Sequence, residues 1–115
     1  MNVIEYAHRN EVMFENQCNE IGYKRQTSFY SDLSIAEFFG IDAVKDTYKR
    51  VVNSWLTDVE YFTEFVMCLN WKIYQHYQKN AALARAYNDL WEEADDIARN
   101  MYHGDDLKYY LSTTD

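Results

Sequence analysis

The sequence predicts an all-α protein: a compact bundle of four to five helices packed around a central one at about 57–78. Three observations predict it. The chain has no proline and only three glycines, Gly22, Gly40 and Gly104, so the residues that turn a chain sharply are scarce. No Asn-Gly or Asp-Gly pair signals a hairpin. In the stretch TDVEYFTEFVMCLNWKIYQHY, Val59, Phe62, Val66, Leu69, Ile73 and Tyr77 recur at steps of three and four, the spacing of one helical face. Tyr61, Phe65 and Cys68 lie beside that stripe, so apolar residues cover a wide arc and the helix is expected to be touched on several sides.

The other elements follow in order. Residues 1–30 are read as an N-terminal helix and a connector. Val3, Ala7, Asn10, Phe14, Cys18 and Ile21 give the helix its stripe, and Gly22 its stop. Tyr23–Ser31 is the connector, with Asp32 or Ser34 capping a short helix that ends at Gly40. Asp42 is the expected cap of a helix over 43–56, with Val44, Tyr48, Val51, Val52 and Trp55 inward and Lys45, Lys49 and Arg50 outward. Thr57 and Glu60 have the spacing of a capping box at the mouth of the central helix. Asn80 is the expected cap of the next helix, 81–102, with its stripe Leu83, Tyr87, Leu90, Ala94, Ile97 and Met101. A last short turn is expected through Leu111, then a frayed tail at 112–115.

At 115 residues, 48% hydrophobic and 17% aromatic, the chain is one domain over 1–115 with a real core. No apolar run reaches the about 18 residues that a membrane span requires, and the N-terminus MNVIEYAHRNE lacks the pattern of a secretory signal. The net charge of −8 disfavours direct binding to nucleic acid or anionic lipid and suits docking onto a basic surface. Cys18 and Cys68 have no Cys-x-x-Cys partner, and Cys68 reads as a small core residue.

Most chemical motifs are missing. There is no Gly-x-Ser-x-Gly elbow, phosphate loop or kinase loop, so no catalytic residue is assigned and an enzyme is not expected. Glu5 and His8 form a single Glu-x-x-His, whereas a di-iron bundle needs two such pairs and two more glutamates. His76 and His103 have no ligand at metal spacing and read as half-buried or surface histidines. No metal or other cofactor is expected.

Ser34–Trp55 has the outline of a helix-turn-helix around Gly40. The positions six and nine after that glycine, apolar in the DNA-binding pattern, are Asp46 and Lys49 here. A DNA-binding regulator is therefore a weaker alternative than two packed helices.

The acidic stretch from Asp89 to Asp106 carries Asp89, Glu92, Glu93, Asp95, Asp96, Asp105 and Asp106 against one base, Arg99. Asp89, Glu92, Glu93 and Asp96 share one helical face. The turn-to-turn rise of about 5.4 Å is of the same order as the charge repeat along a nucleic-acid strand, so the row can imitate a phosphate backbone. Against this, Arg85–Asp89 and Asp95–Arg99 have helical ion-pair spacing, and an ordinary solvated face accounts for many such rows. Among the eleven tyrosines, Tyr30, Tyr61, Tyr74, Tyr109 and Tyr110 are expected near the surface, where tyrosine serves interfaces well.

The runs FYSDLSIAEFFGIDAVKDTYKRVVNSW, LNWKIYQHY and YNDLWEEADDIARNMYHGDDLKYYLSTTD, which span about residues 28–115, resemble small acidic helical proteins of bacterial phages and mobile elements. The resemblance implies a setting, the cytoplasm of a bacterial host. It also implies a class of role, countering host defence as anti-CRISPR and antirestriction proteins do. The expected function is a non-enzymatic inhibitor that binds a CRISPR effector or restriction enzyme through its basic nucleic-acid-binding surface. The expected contacts are Asp89, Glu92, Glu93, Asp95, Asp96, Asp105, Asp106, Tyr109 and Tyr110. A structural or adaptor bundle acting as a homodimer is the alternative.

Overall fold

A computed structural model describes residues 1–115. It contains six helices and no strand: α1 (Val3–Glu20), α2 (Phe29–Phe39), α3 (Ile41–Trp55), α4 (Val59–His76), α5 (Ala81–Met101) and α6 (Gly104–Thr114). No helix is long and apolar enough to cross a membrane.

Helix α4 is the centre, as the apolar pattern predicts. It packs against α2, α3, α5 and α6, while α1 lies mainly along α2. Every residue from Phe62 to Leu69 is buried, and Phe62, Phe65, Cys68 and Leu69 are fully enclosed. Phe29 from α2 meets the Phe65 ring edge-on at 5.4 Å, and Tyr102 meets Phe62 in the same manner at 6.4 Å. Aromatic pairs in this orientation add to the burial itself.

The helix starts differ from the sequence expectation at three places. The cap of α4 is Asp58, whose carboxylate accepts from the Tyr61 amide at 3.0 Å. Thr57 stays outside, because Asp58 already satisfies the first turn and its charge suits the helix dipole. Helix α2 begins at Phe29, upstream of Asp32 and Ser34, since burying Phe29 and Tyr30 requires the extra turn. Helix α3 begins at Ile41 directly after Gly40, and Asp42 sits in its first turn instead of capping it. Gly40 has φ of +129°, a backbone position that disfavours a side chain. Asn80 does cap α5, accepting from the Leu83 amide at 3.1 Å.

The chain end also differs. The expected short turn and frayed tail form a full helix, α6, which makes six helices instead of four or five. Tyr110 is wholly buried, and Leu107 and Leu111 pack against the core. That anchorage carries the helix on through 112–114, where the Thr114 hydroxyl donates to the Tyr110 carbonyl at 2.7 Å.

Candidate functional site

Helix α5 turns Leu83, Tyr87, Leu90, Ala94 and Ala98 inward. The opposite side therefore faces solvent, and Asp89, Glu92, Glu93 and Asp96 are all exposed there. None of these four carboxylates takes part in an ion pair, and Arg85, four residues before Asp89, makes none either. Asp105 and Asp106 add two exposed carboxylates in the first turn of α6.

Two of the expected contact residues are engaged within the fold: Tyr110 is buried and Asp95 is half-buried. Tyr110 is 0% exposed and donates its hydroxyl proton to Asp95 at 2.7 Å. Asp95 also accepts from Arg99 at 2.9 Å. This aspartate therefore fastens α6 to α5 and is not part of the free row. Burial, with the Asp95 carboxylate beside it, raises the Tyr110 phenol well above its ordinary range. Tyr109 is half-buried. Tyr30 is also buried, stacked on Phe14 with ring centroids 4.5 Å apart, whereas Tyr74 is exposed as expected.

The most elaborate polar arrangement is one that residue spacing alone did not single out. Glu37 of α2 is buried and has four partners from three other helices. Its Oε1 accepts from Tyr87 of α5 at 2.6 Å and faces Lys72 Nζ of α4 at 3.0 Å. Its Oε2 accepts from Tyr6 of α1 and lies 3.0 Å from His76 Nε2 of α4. Lys72 completes its donor set with Ser34 Oγ at 2.7 Å and Gln75 Oε1 at 3.0 Å, and its ammonium lies 4.3 Å from the centre of the Tyr30 ring. Burial alone would raise the Glu37 pKa. The hydrogen bond with His76, the charge of Lys72 and the two phenol donors outweigh it and hold the carboxyl at about 2. Burial draws Lys72 down to about 8, with Glu37 opposing that drop. Each polar atom of the pair is matched from within the fold, and neither side chain is open to a substrate. The arrangement therefore stitches α1, α2, α4 and α5 together.

His76 is accordingly neither a surface nor a half-buried residue. It is buried against Glu37 and stacks on Tyr87 with centroids 5.9 Å apart. Its burial completes the heptad-like run Phe65, Leu69, Lys72, His76, in which two polar residues take apolar places.

A second buried carboxylate pins the connector. Glu64 of α4 accepts from the Gln26 amide at 2.6 Å, the Thr27 amide at 2.9 Å and the Tyr23 hydroxyl at 3.0 Å, and also from the Thr27 hydroxyl. Segment 23–28 has no helix of its own to satisfy its amides, and Glu64 supplies that need. Cys18 and Cys68 are both buried free thiols, raised by burial and by the nearby Glu64 charge, Cys18 to about 11.

No group of three His, Cys, Asp or Glu side chains is placed to hold a metal ion, and Glu5 and His8 are both exposed. On α3, Val44, Thr47, Tyr48 and Val51 are buried, which leaves Lys45, Lys49 and Arg50 at the surface alongside Asp42 and Asp46. Compared with protein families, with characterised proteins and with solved structures, the chain gives no match.

Proposed function

We propose that the protein is a non-enzymatic binding module that docks the acidic face of α5 onto a basic, nucleic-acid-binding surface of another protein. The observation that carries this reading is the set of four exposed carboxylates, Asp89, Glu92, Glu93 and Asp96, with no cation paired to any of them. A solvated face on a stable helix normally intersperses both signs. This one keeps its charge uncompensated in a chain of net charge −8, which suits long-range attraction to a positive groove. With the expectation drawn from the sequence's resemblance to phage and mobile-element proteins, the partner proposed is a host defence protein that handles nucleic acid, such as a CRISPR effector or a restriction enzyme. The protein would act there as an inhibitor by occupying the nucleic-acid path.

The test is a nuclease-protection assay with the triple variant Glu92→Gln, Glu93→Gln, Asp96→Gln. It removes three charges: the two Glu→Gln changes keep side-chain size and helix propensity, and Asp96→Gln lengthens an exposed side chain by one methylene and favours the helix slightly. Loss of protection in a folded variant is the expected result. Full protection would mean that the row serves only to keep the surface hydrated.

One observation favours a second reading, a self-associating adaptor. Phe38 and Phe39 are exposed side by side, with the Phe38 ring tilted against Tyr6 at 5.8 Å and edge-on to Phe39 at 5.7 Å. Apolar side chains clustered at a surface mark association sites. Sedimentation of the parent against Phe39→Asp decides it: a dimer that the substitution dissociates supports the adaptor, and a monomer in both removes it.

A further inference from the structure

Helix α1 packs along α2, so its Met13–Glu20 half and helix α4 leave a cleft of about 440 Å³ between them. The floor is the stacked pair Phe14 and Tyr30, and Trp71 and Tyr74 form the α4 wall with their rings 5.8 Å apart. The only formal charge among the lining residues is the Glu20 carboxylate, accompanied by the amides of Asn16 and Gln17. Gln75 also lines the cleft, but its polar atoms are taken by Tyr30, Lys72 and Asn10. Two cations lie behind the floor, and both are matched: Lys72 by Glu37 at 3.0 Å and Arg25 by Glu11 at 2.6 Å. The far side of Trp71 borders a smaller pit of about 150 Å³, which Trp91 and Asp115 also line. Trp71 is thus a ridge between two depressions, each holding one carboxylate.

We infer that this aromatic cleft receives arginine side chains from a basic protein segment. A guanidinium is flat and weakly hydrated, stacks on aromatic faces and pairs with a carboxylate at its edge. An aromatic wall, Trp71 and Tyr74, and a single carboxylate, Glu20, offer those contacts in one cleft. A lysine ammonium is more strongly hydrated and has no plane to stack, and an acidic ligand would meet Glu20 with nothing to offset it. The chain holds one such arrangement internally: the Arg25 guanidinium lies 5.5 Å from the centre of the Phe14 ring while pairing with Glu11. At the cleft the same kinds of group face outward: the Trp71 and Tyr74 rings of the α4 wall and the exposed Glu20 carboxylate. This inference rests on the cleft alone and does not require the α5 row.

The experiment is a titration of the intact ¹⁵N-labelled protein with acetyl-Gly-Arg-Gly-Arg-Gly-amide, and separately with its lysine counterpart. The readouts are the Trp71 indole N–H and the Gln17 side-chain amide. The expected result is a saturable shift of both signals, with the arginine peptide binding several-fold more tightly. Glu20→Gln and Tyr74→Leu alter exposed positions, so both variants should fold, and each should weaken binding about two- to fivefold. The triple glutamine variant of α5 should leave the cleft shifts in place, which separates failure of this inference from failure of the docking role. No saturable shift, equal affinity for the two peptides, shifts centred on α5, or indifference to both Glu20→Gln and Tyr74→Leu would each overturn it.

Discussion

Lys72 Nζ stands 3.0 Å from Glu37 Oε1, and the two side chains are 0% and 1% exposed. Helices α2 and α4 are therefore joined through an ion pair shut off from bulk solvent. Such a pair loses the hydration of two charges, and mutual attraction returns that loss only when the remaining lone pairs and protons are also matched. Here they are. Lys72 has three acceptors, and Glu37 takes two phenol donors and a histidine contact as well. The set draws at least one member from each of α1, α2, α4 and α5, so losing a single partner strands a buried charge, a larger penalty than the pair's net contribution.

Removing one member should accordingly be worse than removing both. Glu37→Gln leaves the Lys72 ammonium buried without its counter-charge and should cost about 3–5 kcal/mol. Combining it with Lys72→Met removes the stranded charge, and the double variant should be more stable than Glu37→Gln alone. Urea denaturation of the two single variants and the double variant measures this. A cost that simply adds would mean that the two groups do not act as a pair.

The pair also sets a pH dependence whose sign follows from its shifts. Glu37 is held at about 2, below the ordinary carboxyl value of 4.5. Its contribution is therefore fully present above pH 4.5 and is lost as pH falls from there towards 2. Lys72 is lowered from 10.5 to about 8, so the native state gives up that proton first, and its contribution to stability grows as pH rises from 8 to 10.5. Groups facing Glu37 are Lys72 and His76 from α4, Tyr6 from α1 and Tyr87 from α5. Burial raises both phenols, so they remain neutral donors throughout the acid range. Denaturation midpoints from pH 2.5 to 7 should fall steeply below 4.5 in the parent and less steeply in the Glu37→Gln, Lys72→Met double variant. Parallel curves would refute the assignment.

The central helix was legible because Phe62, Val66 and Leu69 repeat at helical spacing and the chain has almost no turning residues. The hub was not, and the reason is specific. The helical spacing continues through Ile73 and Tyr77, but Tyr77 is exposed and Ile73 only half-buried. The buried face runs instead from Phe65 and Leu69 to Lys72 and His76. A lysine and a histidine in line with a core stripe are the signal of an interior charge. Its partner Glu37 lies 35 residues away on a helix whose own apolar stripe is weak, and spacing along the chain does not join them. The burial of Tyr110 is hidden in the sequence for a related reason. An aromatic near the chain end reads as surface until α6 is known to fold back onto α4 and α5.

The same distinction divides the acids of α5 into two kinds, with opposite expected behaviour. Asp95 is half-buried and holds Tyr110 and Arg99, whereas Glu92 is exposed and receives only a long 3.3 Å contact from Asn88. Asp95→Asn weakens a charge-assisted bond to a buried phenol, and Tyr110→Phe leaves the aspartate oxygen without that donor. Each should cost about 1–3 kcal/mol. Glu92→Gln should stay within about 0.5 kcal/mol of the parent, as surface substitutions generally do. On partner association the order should reverse. Glu92→Gln should slow the encounter at low ionic strength, with the difference vanishing as salt screens the row. Asp95→Asn should leave the association rate unchanged wherever the fold is intact. Thermal melts with stopped-flow association at two salt concentrations separate the two effects. If Asp95→Asn slows association as much as Glu92→Gln does while its melting temperature is unchanged, the division is wrong and the whole acidic stretch acts as one surface.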